Sequence, residues 1–264
     1  MPLRPGPLLL LLPLALGLGA GARAQTLDEI RRSGTLKVCI WPDYFGISYR
    51  SPRTGALQGL DIDLSRELAR ELSARVEYVE TDFTRLLDDL QARKCQVAMM
   101  AVGVTAARAA RVDFSTPYLR SDIYAIATRS SRAVQTWDDI DQPGRIVVVQ
   151  KGTYMEPLMQ KTLRHAALRT VERPQEREHE VESGRADVFI TDYPYSRRML
   201  MNTDWARLLA PSRIIQLTDY AYAVPRGDAS WLQRINEFVA QIKRDGRLAQ
   251  TADRHGLLPI VARD

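Results

Sequence analysis

The chain has 264 residues, with 37 Lys and Arg against 32 Asp and Glu and a formal net charge of +5. The two signs are interspersed, as in Arg66-Glu67 and Glu176-Arg177-Glu178, and no basic block stands out, which argues against nucleic acid as a partner. His165, His179 and His255 are the only histidines and Cys39 and Cys95 the only cysteines. Neither set has the spacing or placement of a zinc site or a histidine triad, so no metal or cofactor is expected.

Arg4, the apolar stretch from Leu8 to Leu18 and Ala22-Arg23-Ala24 have the order of a secretory signal, with cleavage expected before Gln25. The apolar run is shorter than the roughly 20 residues of a membrane-spanning helix, and no Cys follows it to take a lipid anchor. Residues 1–24 carry Arg4 and Arg23 and no acid. The exported part, 240 of the 264 residues, therefore keeps 35 basic against 32 acidic residues, a net of +3. That length suits one large or two modest domains. Export places Cys39 and Cys95 where a disulfide is allowed. Two buried thiols fit the sequence equally well, because pairing needs Cα atoms within about 7 Å.

Leu27 to Arg32 reads as a short helix closed by Ser33-Gly34, and Leu36 to Ile40 as a strand followed by a loop around Pro42 and Gly46. Tyr49 to Leu60 has the pattern of a hairpin, with Pro52 and Gly55 as turn signals. From Asp61 to Ser73, Ile62, Leu64, Leu68, Ala69 and Leu72 recur at helical spacing. Val76 to Val79 is a second strand, Phe83 to Arg93 a second helix, and Gln96 to Val102 an apolar run of strand length. This β-α-β-α-β order predicts a parallel sheet with helices on both faces.

The same order then restarts. Asp138 to Ile140 is a short helix and Arg145 to Val149 a β-branched strand. Gly152-Thr153 opens a helix through Leu163, and Leu168 to Val171, Glu176 to Ser183 and Val188 to Thr191 read as strand, helix and buried strand. Leu90 to Met99 can be laid on Val181 to Ile190, each a helix end, a turn and a strand. The fold class is therefore α/β with two similar lobes. Tyr220 to Val224 gives a late strand, and Trp231 to Arg244 a long amphipathic helix capped by Gly246.

In such folds ligands bind beyond the carboxyl ends of the strands. That singles out Trp41 to Tyr44, Ala101 to Arg108, Lys151 to Tyr154 and Asp192 to Tyr195, which two facing lobes would bring to one cleft. Arg108 can hold a carboxylate bidentately, although a solvated surface arginine looks the same in sequence. Asp192 can anchor an ammonium or cap the helix that Pro194 begins. Gly152-Thr153 offers backbone N–H groups at a helix start without the spacing of a nucleotide loop. Trp41, Tyr44, Phe83 and Tyr193 are candidate apolar walls, with Phe83 also readable as ordinary packing. Ser115 and Ser196 have no base placed beside them, and Glu156 is the one acid positioned for acid–base work.

Four segments, Leu60-Asp-Ile-Asp63, Thr105-Ala-Ala-Arg108 with Val112-Asp-Phe-Ser-Thr-Pro-Tyr118, Lys151-Gly-Thr153 and Gly184-Arg-Ala-Asp-Val-Phe-Ile-Thr-Asp192, in this order and spacing, resemble the family 3 extracellular solute-binding proteins. These are the periplasmic polar-amino-acid receptors of ABC importers, and the resemblance runs from Leu27 to about Leu258. It implies a type II periplasmic-binding-protein-like fold, two α/β lobes on a two-strand hinge. Residues 25–120 and 220–264 would form one lobe and 121–219 the other, with crossovers near Leu119 to Tyr124 and Leu217 to Ala221. It also implies a monomeric, periplasmic, non-enzymatic receptor that captures an amino acid or amino-acid-like molecule and presents it to a membrane permease.

By that resemblance Arg108 takes the place of the arginine that holds the ligand carboxylate, and Asp192 that of the acid that holds the ammonium. Thr153, beside Gly152, takes that of the second-lobe donor, and Tyr44 and Phe83 flank the ligand side chain. The sequence departs from the family at Ala101 and Gly103, where a hydroxyl residue is common and only the Gly103 N–H is left to donate. It departs also at Trp41, where a small or acidic residue is common. A narrower or more apolar pocket is expected. Two other roles share the scaffold: an accessory or sensor protein of the kind that accompanies quinoprotein dehydrogenases, and a cyclohexadienyl dehydratase. For the second, Glu156 falls one residue later after Gly-Thr than the match requires.

Overall fold

The structure is a computed structural model and describes residues 25–263; the expected signal lies outside the described residues. Helix α1 (Gln25–Ser33) buries Ile30 and stops at Gly34, whose φ of +61° suits glycine. Strand β1 (Thr35–Ile40) leads to a small antiparallel sheet of β2 (Asp43–Tyr44), β3 (Ser48–Arg50) and β4 (Leu57–Gln58), the last two forming the expected hairpin. There follow α2 (Leu60–Glu71), β5 (Arg75–Glu80), α3 (Leu86–Gln91), β6 (Val97–Gly103), α4 (Ala106–Ala109), β7 (Val112–Phe114) and β8 (Leu119–Ser121). All seven residues of β6 are buried, as its unbroken apolar run predicts for a central strand.

The second lobe contains β9 (Ile123–Thr128), β10 (Ile146–Gln150), α5 (Met155–Thr162), β11 (Ala167–Val171), α6 (Pro174–Glu182), β12 (Val188–Asp192), α7 (Tyr193–Asn202) and β13 (Ala206–Leu209). The chain then returns to the first lobe through β14 (Thr218–Pro225), α8 (Ala229–Arg244) and α9 (Arg247–Arg254). Trp231 on α8 is wholly buried and donates its indole N–H to the Gln96 carbonyl at 2.7 Å, which locks the returning segment onto the foot of β6.

Each lobe has its own sheet, ordered β5-β1-β6-β14-β7 in the first, with β8 also on β14, and β11-β10-β12-β9-β13 in the second. The strands from the β-α-β-α-β runs are parallel. Neither sheet is purely parallel, however, because β14 and β9 run antiparallel to their neighbours. The reason is connectivity: β9 and β14 carry the chain between lobes, so each enters its sheet from the cleft side, against the sense of the strands that point toward the cleft. Asp122, between β8 and β9, accepts the backbone N–H groups of Ile215 (3.1 Å) and Gln216 (2.8 Å) and thereby ties the two crossing segments together.

Cys39 on β1 and Cys95, just before β6, are joined in a disulfide with Cα atoms 5.6 Å apart, which decides between the two readings of the cysteines. Both are fully buried. The bond closes a sequence separation of 56 residues, so replacing both with Ser is expected to cost about 2–4 kcal/mol, measured as the loss in urea unfolding free energy.

Under the first sheet lies a second constraint. Asp61 on α2 is fully buried and accepts the Tyr118 hydroxyl (2.6 Å), the Ala101 N–H (3.0 Å) and the Tyr222 hydroxyl (3.2 Å). Burial pushes its carboxyl up to about 7, against the pull of those three donors. A folded-state value above the unfolded one means that the native state holds the proton longer. Stability from this group is therefore full below about pH 4 and falls as pH rises to about 7, by roughly 4 kcal/mol in all. Asp61→Asn should remove that fall: the stability difference between wild type and variant, followed by denaturant melts from pH 4 to 8, should shift in the variant's favour as pH rises.

Candidate ligand-binding site

The carboxyl ends of both sheets face a cavity of about 350 Å³ of free space, its mouth included, between the lobes. Helix α4 places Arg108 there. Thr105 is its N-cap and accepts the Arg108 N–H at 3.2 Å, and the side chain folds back so that Nη1 donates to the Gly103 carbonyl at 2.9 Å. Nη2 crosses the cleft to the Gly152 carbonyl of the second lobe at 2.8 Å. Arg108 is 7% exposed, and burial lowers its guanidinium to about 10, so it stays charged at neutral pH. The Phe83 ring lies 5.3 Å from its Cζ.

Asp192 ends β12 and caps α7. One carboxylate oxygen accepts the Tyr195 N–H at 3.2 Å. The other accepts the Tyr220 hydroxyl at 2.8 Å and the Tyr44 hydroxyl from the first lobe. The capping reading of Asp192 thus describes one of its oxygens, while the other is held by tyrosine hydroxyls. Burial, and next to it the nearby Asp192 charge, raises Tyr44 and Tyr220 well above the ordinary tyrosine range, so both act as neutral donors. Tyr154 closes the same wall with its hydroxyl 3.3 Å from that of Tyr220. Trp41, Tyr44 and Phe83 form a cluster with ring centroids 5.2, 5.3 and 5.9 Å apart.

Residues 36–257 match the model of the bacterial extracellular solute-binding proteins, family 3. The chain belongs to this family. It is 29% identical over 225 residues to the cyclohexadienyl dehydratase of Pseudomonas aeruginosa, covering 85% of this chain and 83% of the relative. To the L-cystine-binding protein TcyJ of Escherichia coli it is 23% identical, covering 86% and 85%. Among solved structures it resembles the ancestral amino acid-binding protein AncCDT-1, a precursor of cyclohexadienyl dehydratase, with 31% identity, a TM-score of 0.79 and coverage of 87% of this chain and 98% of that one.

In this solute-binding protein Arg108, Asp192, Thr153, Gly103, Tyr44, Trp41 and Phe83 meet around the cavity. Gly152 reaches it through its carbonyl alone. Tyr193 does not line it: its ring packs 6.4 Å from that of Tyr124 and 5.9 Å from the Arg197 guanidinium, and its N–H donates to Ser121. Residues two apart on a helix point about 200° away from one another, and Tyr195 is the one turned inward.

The helix start also differs from expectation. Regular α5 begins at Met155, the Gly152 N–H is held by the Glu156 carboxylate at 2.9 Å, and the Thr153 N–H and hydroxyl both turn to the Gln150 carbonyl, at 3.4 and 2.7 Å. The backbone donors expected there for an anion are already engaged by the chain itself. Phe83 lies in the loop ahead of α3, not on the helix.

Gln150, Tyr154, Met155, Arg177, Tyr195 and Ala101 also line the cavity. Gln150 ends β10 and was within reach of the strand-end rule. Arg177 sits inside a charged helix and carries no such signal.

Gly152 has a φ of +76°, and a methyl group on it would lie 2.8 Å from Thr84 Cγ2 and 2.9 Å from the Phe83 carbonyl carbon, both in the first lobe. Gly152→Ala should cost about 1 kcal/mol of stability from backbone strain. It should weaken ligand binding at least about tenfold by holding the lobes apart, a disproportion that urea unfolding and titration calorimetry together would reveal.

Proposed function

We propose that this protein is an exported, periplasmic receptor that closes around an amino acid or amino-acid-like zwitterion and presents it to the permease of an ABC importer. In this reading residues 25–120 and 220–264 act as one lobe, 121–219 as the other, and the strands near 119–124 and 217–221 as the hinge. The observation that carries the proposal is the meeting of Arg108 and Asp192 in one cavity, from different lobes, each hydrogen-bonded to neutral groups. A guest carboxylate takes the fork of Arg108, exchanging carbonyl partners for charge-assisted bonds. A guest ammonium donates to Asp192 in place of the Tyr44 hydroxyl. Contacts with both lobes exist only in the closed arrangement, so binding shifts the population toward it. The cluster of Trp41, Tyr44 and Phe83 supplies the apolar wall.

Arg108→Ala and Asp192→Ala should each abolish ligand-induced thermal stabilisation in a screen of amino acids, opines and small organic acids, while the free protein stays folded. A ligand that protects both variants as fully as wild type removes the zwitterion assignment.

The similarity to a dehydratase favours one second reading, an enzyme that expels water from prephenate or arogenate. Such chemistry needs a proton donor in the cleft. Glu156 is committed to the Gly152 N–H and does not line the cavity, and among the described residues Asp192 is the only carboxylate that does; this supports a binding role over catalysis. Phenylpyruvate absorbance developing from prephenate in the presence of the wild-type protein would reverse that preference.

A further inference from the structure

Arg177, on α6, is 3% exposed and lines the same cavity as Arg108 and Asp192. Its guanidinium lies 4.0 Å from the Tyr195 ring centroid and 5.1 Å from that of Phe189. Its one hydrogen bond among the described residues is a long one, Nη1 to the Ile190 carbonyl at 3.3 Å, and its Nε is buried without a partner. No carboxylate forms a salt bridge with it among the described residues. Three of the four acids on its own helix are turned elsewhere, Glu176 to Arg173, Glu178 to Arg198, and Glu180 to Arg169 and Arg185, and the fourth, Glu182, is exposed. Gln150, which lines the same cavity, is also buried with Oε1 unpartnered, and its amide NH₂ is a further donor.

Arg108 has no carboxylate partner among the described residues either. The cavity therefore holds two buried guanidinium groups against the single carboxylate of Asp192, while its tyrosines stay neutral. A zwitterion with an uncharged side chain leaves that imbalance untouched. A cationic side chain deepens it, in a water-poor space where like charges repel strongly.

We propose that the guest carries a second anionic group, held by Arg177, and a net charge of −1: a small acidic amino acid or a close analogue with a planar oxyanion on its side chain. Arg108 takes the α-carboxylate, Asp192 the ammonium and Arg177 the side-chain carboxylate, whose two oxygens match the flat guanidinium fork. This rests on the zwitterion reading above and adds the chemistry of the side chain. Discrimination follows from unmet donors, because a site built around buried N–H groups rejects an analogue that cannot satisfy them.

Titration calorimetry of the purified exported protein with L-glutamate, L-aspartate, L-glutamine, L-asparagine, L-arginine and glutarate tests it. The expected result is that glutamate or aspartate binds at least about tenfold tighter than its own amide, with arginine undetected. In Arg177→Gln that preference should collapse to less than about threefold, and in Arg177→Lys it should be intermediate. Binding that favours an amide or arginine overturns the proposal and leaves the zwitterion reading standing. So does an unchanged acid preference in both Arg177 variants when their melting matches wild type, since the arginine is then a structural stack on Tyr195. Should Arg177→Gln fail to fold, the wild-type panel and Arg177→Lys still decide. Binding of glutarate with no amino acid bound supports Arg177 and overturns the zwitterion reading, and silence across the panel overturns both.

Discussion

Arg108 and Asp192 are buried in one cavity, and each is satisfied by neutral dipoles and not by the other: carbonyls on the arginine, tyrosine hydroxyls and a backbone N–H on the aspartate. Taking a charge out of water costs several kcal/mol unless something replaces the lost solvation. Neutral dipoles replace part of it, and they are weaker partners than ions. A direct Arg108–Asp192 pair would be self-satisfied, and any guest would first have to break it. Holding the two apart leaves each ready to exchange a dipole for an opposite charge.

The fold secures that separation by giving each group to a different sheet. Arg108 follows β6, the central strand of the first lobe, and Asp192 ends β12, its counterpart in the second. The supports below Arg108 are stiff. Asp61 and Tyr118 hold the Ala101 N–H, and Ala101 itself adopts a φ of +47°, a left-handed conformation that a non-glycine residue keeps only when its surroundings impose it. The pairing of β6 with β14 shifts register in the same place. Between the lobes run only the two crossing segments, where Asp122 binds one to the other. A hinge of two tied strands allows the lobes to swing as bodies without repacking either core.

Much of this was legible in the sequence because it is written in short-range patterns. The apolar runs at 96–102 and 188–191 announce central strands, and residues just past such strands are the ones that face a cleft, which is how Arg108, Asp192 and Tyr44 could be named. What escaped depends on contacts far apart in the chain or on single-residue rotations. The insertion of β14 beside β6 joins segments more than 100 residues apart. Tyr193 and Tyr195 are indistinguishable in composition and differ only in which side of α7 they occupy. Arg177 sits among glutamates that look like its partners, yet Glu176, Glu178 and Glu180 are drawn to other arginines.

The same rotational logic bears on why similar chains can be receptors or enzymes. Successive residues of a helix turn by about 100°. At the start of α5, Met155 faces the cavity and Glu156, one position later, bends back to the Gly152 N–H. An acid at 156 therefore serves the backbone of the loop, and its carboxylate cannot enter the cleft without releasing that N–H and unwinding the first turn. An acid at 155 would project into the cavity toward the groups that surround a guest. In this chain position 155 holds a thioether, which can neither give nor take a proton.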